Sequence, residues 1–194
     1  MLSAVLLAAC NGSEDSSKTP SPSSFLLTDI SGASFGRDFR LVDHTGRPRS
    51  LADFRGNVVA LFFGYTHCPD LCTPAMAKLA ATMKVLGNKA GHVQVLFITI
   101  DPEQDTPEVL ARYVSGFNPA FLGLSGDMQV IDRTIKEFKV VNQKQVNAET
   151  GQITTDHSMG IYIFDTAGKI RLYADSSKDQ QMLAHDIAVL LDQS

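Results

Sequence analysis

Two cysteines, Cys68 and Cys72, are separated by three residues in the stretch VVALFFGYTHCPDLCTPAMAKL, residues 58–79. At positions i and i+4 of a helical turn, two sulfurs face the same side with their Cα atoms about 6 Å apart, within disulfide range. The same spacing lets two thiolates chelate one soft metal ion. Helix-start amides and the helix dipole lower a thiol pKa, which favours the thiolate that either role requires. Two packed thiols, or an inert structural disulfide, are the remaining alternative. A two-sulfur metal site is usually completed by a third donor. Of the five histidines, His44, His92 and His185 fall in loop or surface-helix patterns and read as solvent-facing. His67 adjoins Cys68 and would have to fold back to share its ligand sphere. His157, in Asp156-His157-Ser158, is the stronger candidate. Met76 and Met159 carry thioether sulfur, and both fit core faces.

The elements that must position these residues follow from hydrophobic period and turn chemistry. Residues 59–63 are apolar in succession and rich in β-formers, so they read as a strand buried on both faces. The cysteines leave the carboxyl end of that strand, where ligands and reactive groups collect in open α/β sheets. Met76, Leu79, Met83 and Leu86 then mark one helical face. Pro74 places the start of the regular helix near residues 73–74, with the cysteines on a tighter preceding turn. Upstream, residues 39–42 and 47–51 around Asp43-His44-Thr45-Gly46 form a β-hairpin, and 53–57 a turn.

Downstream, 93–100 is a second strand. Asp105-Thr106-Pro107 supplies an N-cap and a first-turn proline to a helix that turns Val109, Leu110, Tyr113, Val114 and Phe117 inward. Residues 121–124 are a short strand, and Asp127 opens a helix with Val130, Ile131, Ile135 and Phe138 on one side. Residues 140–156 read as an extra hairpin turning at Glu149-Thr150-Gly151. Strands at 159–164 and 169–173 and a helix over 178–192 close the chain. Two helix-linked parallel crossovers followed by a hairpin and a helix predict an α/β fold with a mixed central sheet flanked by helices. With a cysteine pair at the first helix, the layout is thioredoxin-like. In that layout the strand after His157 neighbours the strand before Cys68, which brings a nitrogen donor toward the two sulfurs. Thioredoxin-fold exchange enzymes place a cis-proline before that strand, whereas this chain has no proline after Pro119.

The chain has 194 residues, 44% apolar and 20% charged, and one domain accounts for the folded part. A formal net charge of -4 leaves no basic surface for nucleic acid. No apolar run approaches the roughly 20 residues of a membrane span. Residues 1–10, MLSAVLLAAC, form a short apolar leader in which small residues precede Cys10, as in bacterial lipoprotein cleavage signals. Residues 11–24 are a polar Ser/Pro linker without the apolar content to fold, and the domain runs over 25–194. Lipid on Cys10 would leave Cys68 and Cys72 as an isolated pair outside the cytoplasm, where a disulfide is permitted.

Three motifs in order resemble the Sco/SenC family of thioredoxin-like copper-binding proteins. They are Gly64-Tyr65-Thr66-His67-Cys68-Pro69-Asp70-Leu71-Cys72, Thr99-Ile100-Asp101-Pro102-Glu103-Gln104-Asp105-Thr106-Pro107, and Asp156-His157-Ser158. The likeness covers roughly residues 39–191. Thr73 stands where the family commonly has proline, and Gln104 where it often has arginine. The resemblance implies copper, as Cu(I) and Cu(II), held by Cys68, Cys72 and His157, with Asp70 and Asp156 as neighbours of the ligands. It implies a metallochaperone for the dinuclear copper site of cytochrome c oxidase subunit II, acting as a lipid-anchored monomer in the bacterial periplasm. A thiol reductant or another copper chaperone would then be a further partner. Two alternatives stay open: a thiol-disulfide reductase using the Cys68–Cys72 pair on the target's cysteines, and a copper or redox sensor. A reductase needs both cysteines and not His157.

Overall fold

The computed structural model describes residues 25–68, 71–140, 142–146, 153–157 and 160–193, with side chains for all but the 142–146 and 153–157 strands. Ten strands are present among them: β1 (Thr28–Asp29), β2 (Leu41–Asp43), β3 (Pro48–Arg49), β4 (Val58–Gly64), β5 (Val93–Thr99), β6 (Leu122–Ser125), β7 (Asn142–Val146), β8 (Ile153–His157), β9 (Ile161–Phe164) and β10 (Ile170–Ala174). Four α-helices accompany them: α1 (Cys72–Leu86), α2 (Pro107–Ser115), α3 (Met128–Glu137) and α4 (Gln180–Asp192). Eight strands form one sheet in the order β1-β10-β9-β4-β5-β6-β2-β3, and β7 and β8 form a separate antiparallel pair. Only β4–β5 and β5–β6 are parallel, as the α1 and α2 crossovers require. The expected mixed, thioredoxin-like sheet is therefore what the chain builds.

The centre of the sheet is β4, and its alternation explains the unbroken apolar run. Val58, Ala60 and Phe62 enter a core roofed by α1, α2 and α4, while Val59, Leu61 and Phe63 enter a second core under α3. Every residue of β4 is buried. Met76, Leu79, Met83 and Leu86 are all buried on α1, as their spacing predicts. On α2, Leu110 and Val114 are buried, while Val109, Tyr113 and, just beyond the helix, Phe117 are only partly so. Thr106 caps α2, its side chain accepting from the Val109 amide, with proline at the first helical position.

Three boundaries differ from the sequence expectation. Helix α1 begins at Cys72 rather than at 73–74. Pro74 costs no hydrogen bond there, because the first four helical amides have no intrahelical acceptor. His157 ends strand β8, opposite Asn142, instead of lying in a loop. The following strand starts at Ile161, two residues later than expected. An additional strand, β1, closes the sheet edge against β10. The expected hairpin over 140–156 is present as β7 and β8, and its turn lies outside the described residues.

Candidate metal centre

The site is built at the carboxyl end of β4, where Gly64 ends the strand and its carbonyl accepts from the Ile100 amide at 2.8 Å. The chain then turns tightly, the Cys68 amide donating to the Tyr65 carbonyl at 3.2 Å, and enters α1 at Cys72. The Cys72 amide donates to Cys68 Sγ at 3.4 Å, so a helix-start N–H already points at one of the sulfurs. Both thiols are free and buried, Cys72 completely and Cys68 at 8% exposure. Gly64 makes room for them: a Cβ there would stand 2.8 Å from Cys72 Sγ and 3.0 Å from Phe97 Cε2. A glycine inside a strand often marks such a close approach.

Burial pushes the Cys72 thiol well above its ordinary value, and the neighbouring Cys68 adds to the rise against the opposing Tyr65 backbone amide. The expectation that the helix start would lower this pKa fails for Cys72, because desolvation outweighs the dipole. Burial likewise raises the Tyr65 hydroxyl, with the Cys68 and Cys72 sulfurs adding to it. A thiol that holds its proton in this way is a poor nucleophile at neutral pH. A soft cation can still displace that proton, because the metal–thiolate bond replaces the lost hydration.

Asp105 carries the loop from beneath. Its side chain is fully buried and accepts from the Thr66 amide at 3.1 Å, the Thr66 hydroxyl at 2.5 Å and the Thr99 hydroxyl at 2.6 Å. The N-cap expected within Asp105-Thr106-Pro107 is Thr106, and the Asp105 carboxylate faces inward. No periodicity marks such a residue, since its acceptors are filled by partners up to 39 positions away. His67 is exposed, with Nδ1 3.2 Å from Thr66 Oγ1 and 3.6 Å from Asp105 Oδ1.

The other histidines lie elsewhere. His44 is half-buried rather than solvent-facing, and its Nδ1 accepts from the Gly123 amide at 3.1 Å. His92 and His185 are exposed as expected, with His185 Nδ1 2.8 Å from Asp186. Met76 is a core residue. Among the described residues no group of three metal-binding side chains occurs. The third expected donor, His157, is placed by its backbone at the end of β8, and its side chain is outside the described set, as is that of Asp156. Cys10, Asp70 and Met159 also lie outside the described residues.

A mixed sheet whose central strand hands a cysteine pair to a helix start defines a thioredoxin-like protein with a two-sulfur centre. The chain belongs to the SCO1/SenC family, whose model matches residues 28–192. It is 38% identical over 152 residues to the mitochondrial SCO2 homolog of Bos taurus, covering 77% of this chain and 57% of that one. It thus spans little more than half the length of that curated relative. Among solved structures it is similar to Bradyrhizobium japonicum ScoI with copper bound, at 32% identity and a TM-score of 0.72 over 81% of this chain and 99% of that one. It is also similar to yeast Sco1 with copper bound, at 30% identity and a TM-score of 0.73 over 84% and 91%.

Proposed function

We propose that this protein is a copper metallochaperone that binds the ion through Cys68, Cys72 and His157 and delivers it to the dinuclear site of cytochrome c oxidase subunit II. The observation that carries the reading is the meeting of two free sulfurs at the mouth of β4, in a family whose Bradyrhizobium and yeast members were solved with copper. Copper is the cargo. As Cu(I) binds, each coordinating thiol loses its proton to solvent and the sulfur takes the metal in its place. Thiolate sulfur suits Cu(I), and imidazole extends the donor set to Cu(II). A three-donor sphere at a surface loop leaves a position for an incoming ligand from the recipient, so the ion can pass on without being released. Asp70 and Asp156 would orient the ligands beside them. Lipid on Cys10 would hold the monomeric domain at a membrane outside the cytoplasm. Among the described residues no helix is long and apolar enough to cross one.

A thiol-disulfide reductase acting on the target's cysteines is the competing reading, supported by the unbridged pair in a thioredoxin-like fold. His157→Ala separates the two. The variant is expected to lose stable Cu(II) binding and oxidase copper loading, while Cys68–Cys72 exchange stays within a few-fold, since exchange depends on the sulfurs and their access. Cu(II) spectroscopy and a thiol-exchange rate on the same sample make the measurement. Normal Cu(II) binding and oxidase assembly by the variant would remove His157 from the ligand set and favour the reductase.

A further inference from the structure

Among the described side chains, one buried polar atom has no hydrogen-bond partner: the hydroxyl oxygen of Tyr113 on α2. A buried hydroxyl without a partner loses its hydration and gains nothing, so native proteins keep few of them, and each calls for a reason. The ring has one. It packs against Phe97 and Phe117 with centroids 5.2 Å away in both cases, a role that phenylalanine would fill equally well. The hydroxyl has none in the metal-free protein.

Its surroundings supply a candidate. Tyr113 packs against the same core cluster that contains Cys72, Cys68 and Phe97. Phe97 and Cys72 Sγ approach each other over Gly64, where one Cβ would touch both. The Thr73 hydroxyl, at the first turn of α1, lies close enough to favour the phenolate, yet it does not satisfy the Tyr113 oxygen as a hydrogen-bond partner. Burial, with charge on Cys72 and Cys68 adding to it, holds the phenol up at about 12, so the group stays a protonated donor. A neutral, dry donor packed on the core cluster that holds two thiols, which become thiolates on metal binding, is an acceptor's partner held in waiting.

We infer that Tyr113 is a positioning residue of the copper site, its hydroxyl donating to the Cys72 thiolate once the metal has displaced the thiol proton. The orphan hydroxyl then disfavours the metal-free state and supports the loaded one. This inference presupposes the copper reading of the cysteine pair. It gives that reading a switch in which the second sulfur is stabilised only while it carries the ion. On release, Cys72 is reprotonated and the hydroxyl is again without a partner.

The test is Tyr113→Phe in the full chain, which deletes the hydroxyl and keeps the ring. Two readouts should move in opposite directions. The reduced, metal-free variant is expected to melt several degrees higher than wild type, because an unsatisfied buried group has been removed. Its Cu(I) affinity, measured by competition with a chromogenic Cu(I) chelator, is expected to fall about tenfold, as for loss of a hydrogen bond to a charged acceptor. Ultraviolet resonance Raman of the wild type should show the tyrosine hydroxyl becoming a donor on Cu(I) addition, a signal absent in the variant. A merely structural hydroxyl predicts the reverse, a lower melting temperature with Cu(I) affinity unchanged, and that result overturns the inference. Unchanged affinity in the variant alongside tight binding by wild type refutes the role of Tyr113 and leaves the copper reading standing. A wild type that takes up no Cu(I) overturns both.

Discussion

Asp105 shows how much of a metal loop can depend on a residue that touches neither sulfur. Its buried carboxylate takes three hydrogen bonds, two from Thr66 at the base of the cysteine turn and one from Thr99 at the end of β5. The ends of the parallel strands β4 and β5 are thereby tied together two residues before Cys68. In a buried setting such a network is worth most when every member is satisfied. Asp105→Asn replaces a charged acceptor by an amide that must present donors to groups that are themselves donors. The expected outcome is a loss of about 1–3 kcal/mol in urea unfolding, together with weaker Cu(I) binding from a loosened turn. Wild-type stability with wild-type Cu(I) affinity would show that the carboxylate does not position the loop. Gly64 contributes in the opposite way, by absence: the space a side chain would fill is occupied by Cys72 Sγ.

At the scale of elements, the two cores divide the work. The α1, α2 and α4 face holds the cysteines, and the α3 face anchors the sheet from the other side. The far edge is closed by the β2–β3 hairpin, which pairs with β6 and is held by one carboxylate. Asp43 accepts from the Thr45 amide and hydroxyl at 2.8 and 2.6 Å and from the Arg47 amide at 3.1 Å, and it meets Arg49 Nε at 2.8 Å. Burial by itself would raise its pKa; the bonds from Thr45, Arg49 and Arg47 outweigh that and hold it well below the ordinary carboxylate value. A depressed folded-state pKa contributes stability that is present above the unfolded value of about 4 and is lost as pH falls toward the folded one. Asp43→Asn should therefore cost about 2 kcal/mol at pH 7, a gap that shrinks as pH drops below about 4. Urea unfolding at pH 7 and pH 3 measures this. A penalty of equal size at both values would mean that the charge on Asp43 does not stabilise the hairpin.

At the scale of the whole molecule, the sheet register relates the strand that carries the site to the edge where the chain enters. Phe62 of β4 is level with Ile161, and Ile161 with Ala174 of β10. Thr28 is level with Tyr173, and β1 lies three strand spacings, about 14 Å, across the sheet from β4. The chain bends at residues 26–27, and the Phe25 ring lies 5.8 Å from the Arg171 guanidinium carbon. Fully buried Asp186 of α4 pins this entry by accepting from the Leu26 and Leu27 amides. The chain therefore enters the domain along the β1–β10 edge of the sheet. If Cys10 carries lipid, the fourteen residues of polar, Ser/Pro-rich sequence 11–24 connect it to that edge of the domain. Labelling with a fatty-acid analogue is expected to disappear in Cys10→Ser, with the protein moving to the soluble fraction. Labelling that persists would exclude this anchor.

What sequence alone determined was whatever is encoded locally. Five apolar residues bounded by Gly64 specify a strand buried on both faces. The 3-4-3 spacing from Met76 to Leu86 specifies the buried face of α1, and Thr106-Pro107 the start of α2. The cysteine pair and its place at a strand end were legible for the same reason, as was family membership from three ordered motifs. Tertiary structure decided everything that depends on which side chains meet. Asp105 reads as part of the turn into α2 until Thr66 and Thr99 close over it, and Tyr113 reads as one more core aromatic until its oxygen is found without a partner. Cys72 reads as a helix-start thiol with a lowered pKa until burial reverses the direction. Strand β1 is two residues long and exposed, so no hydrophobic pattern announces it, and its pairing with β10 exists only once the far end of the chain has folded. Desolvation and hydrogen-bond satisfaction are properties of a place in the fold, and a residue's chain neighbours do not determine that place.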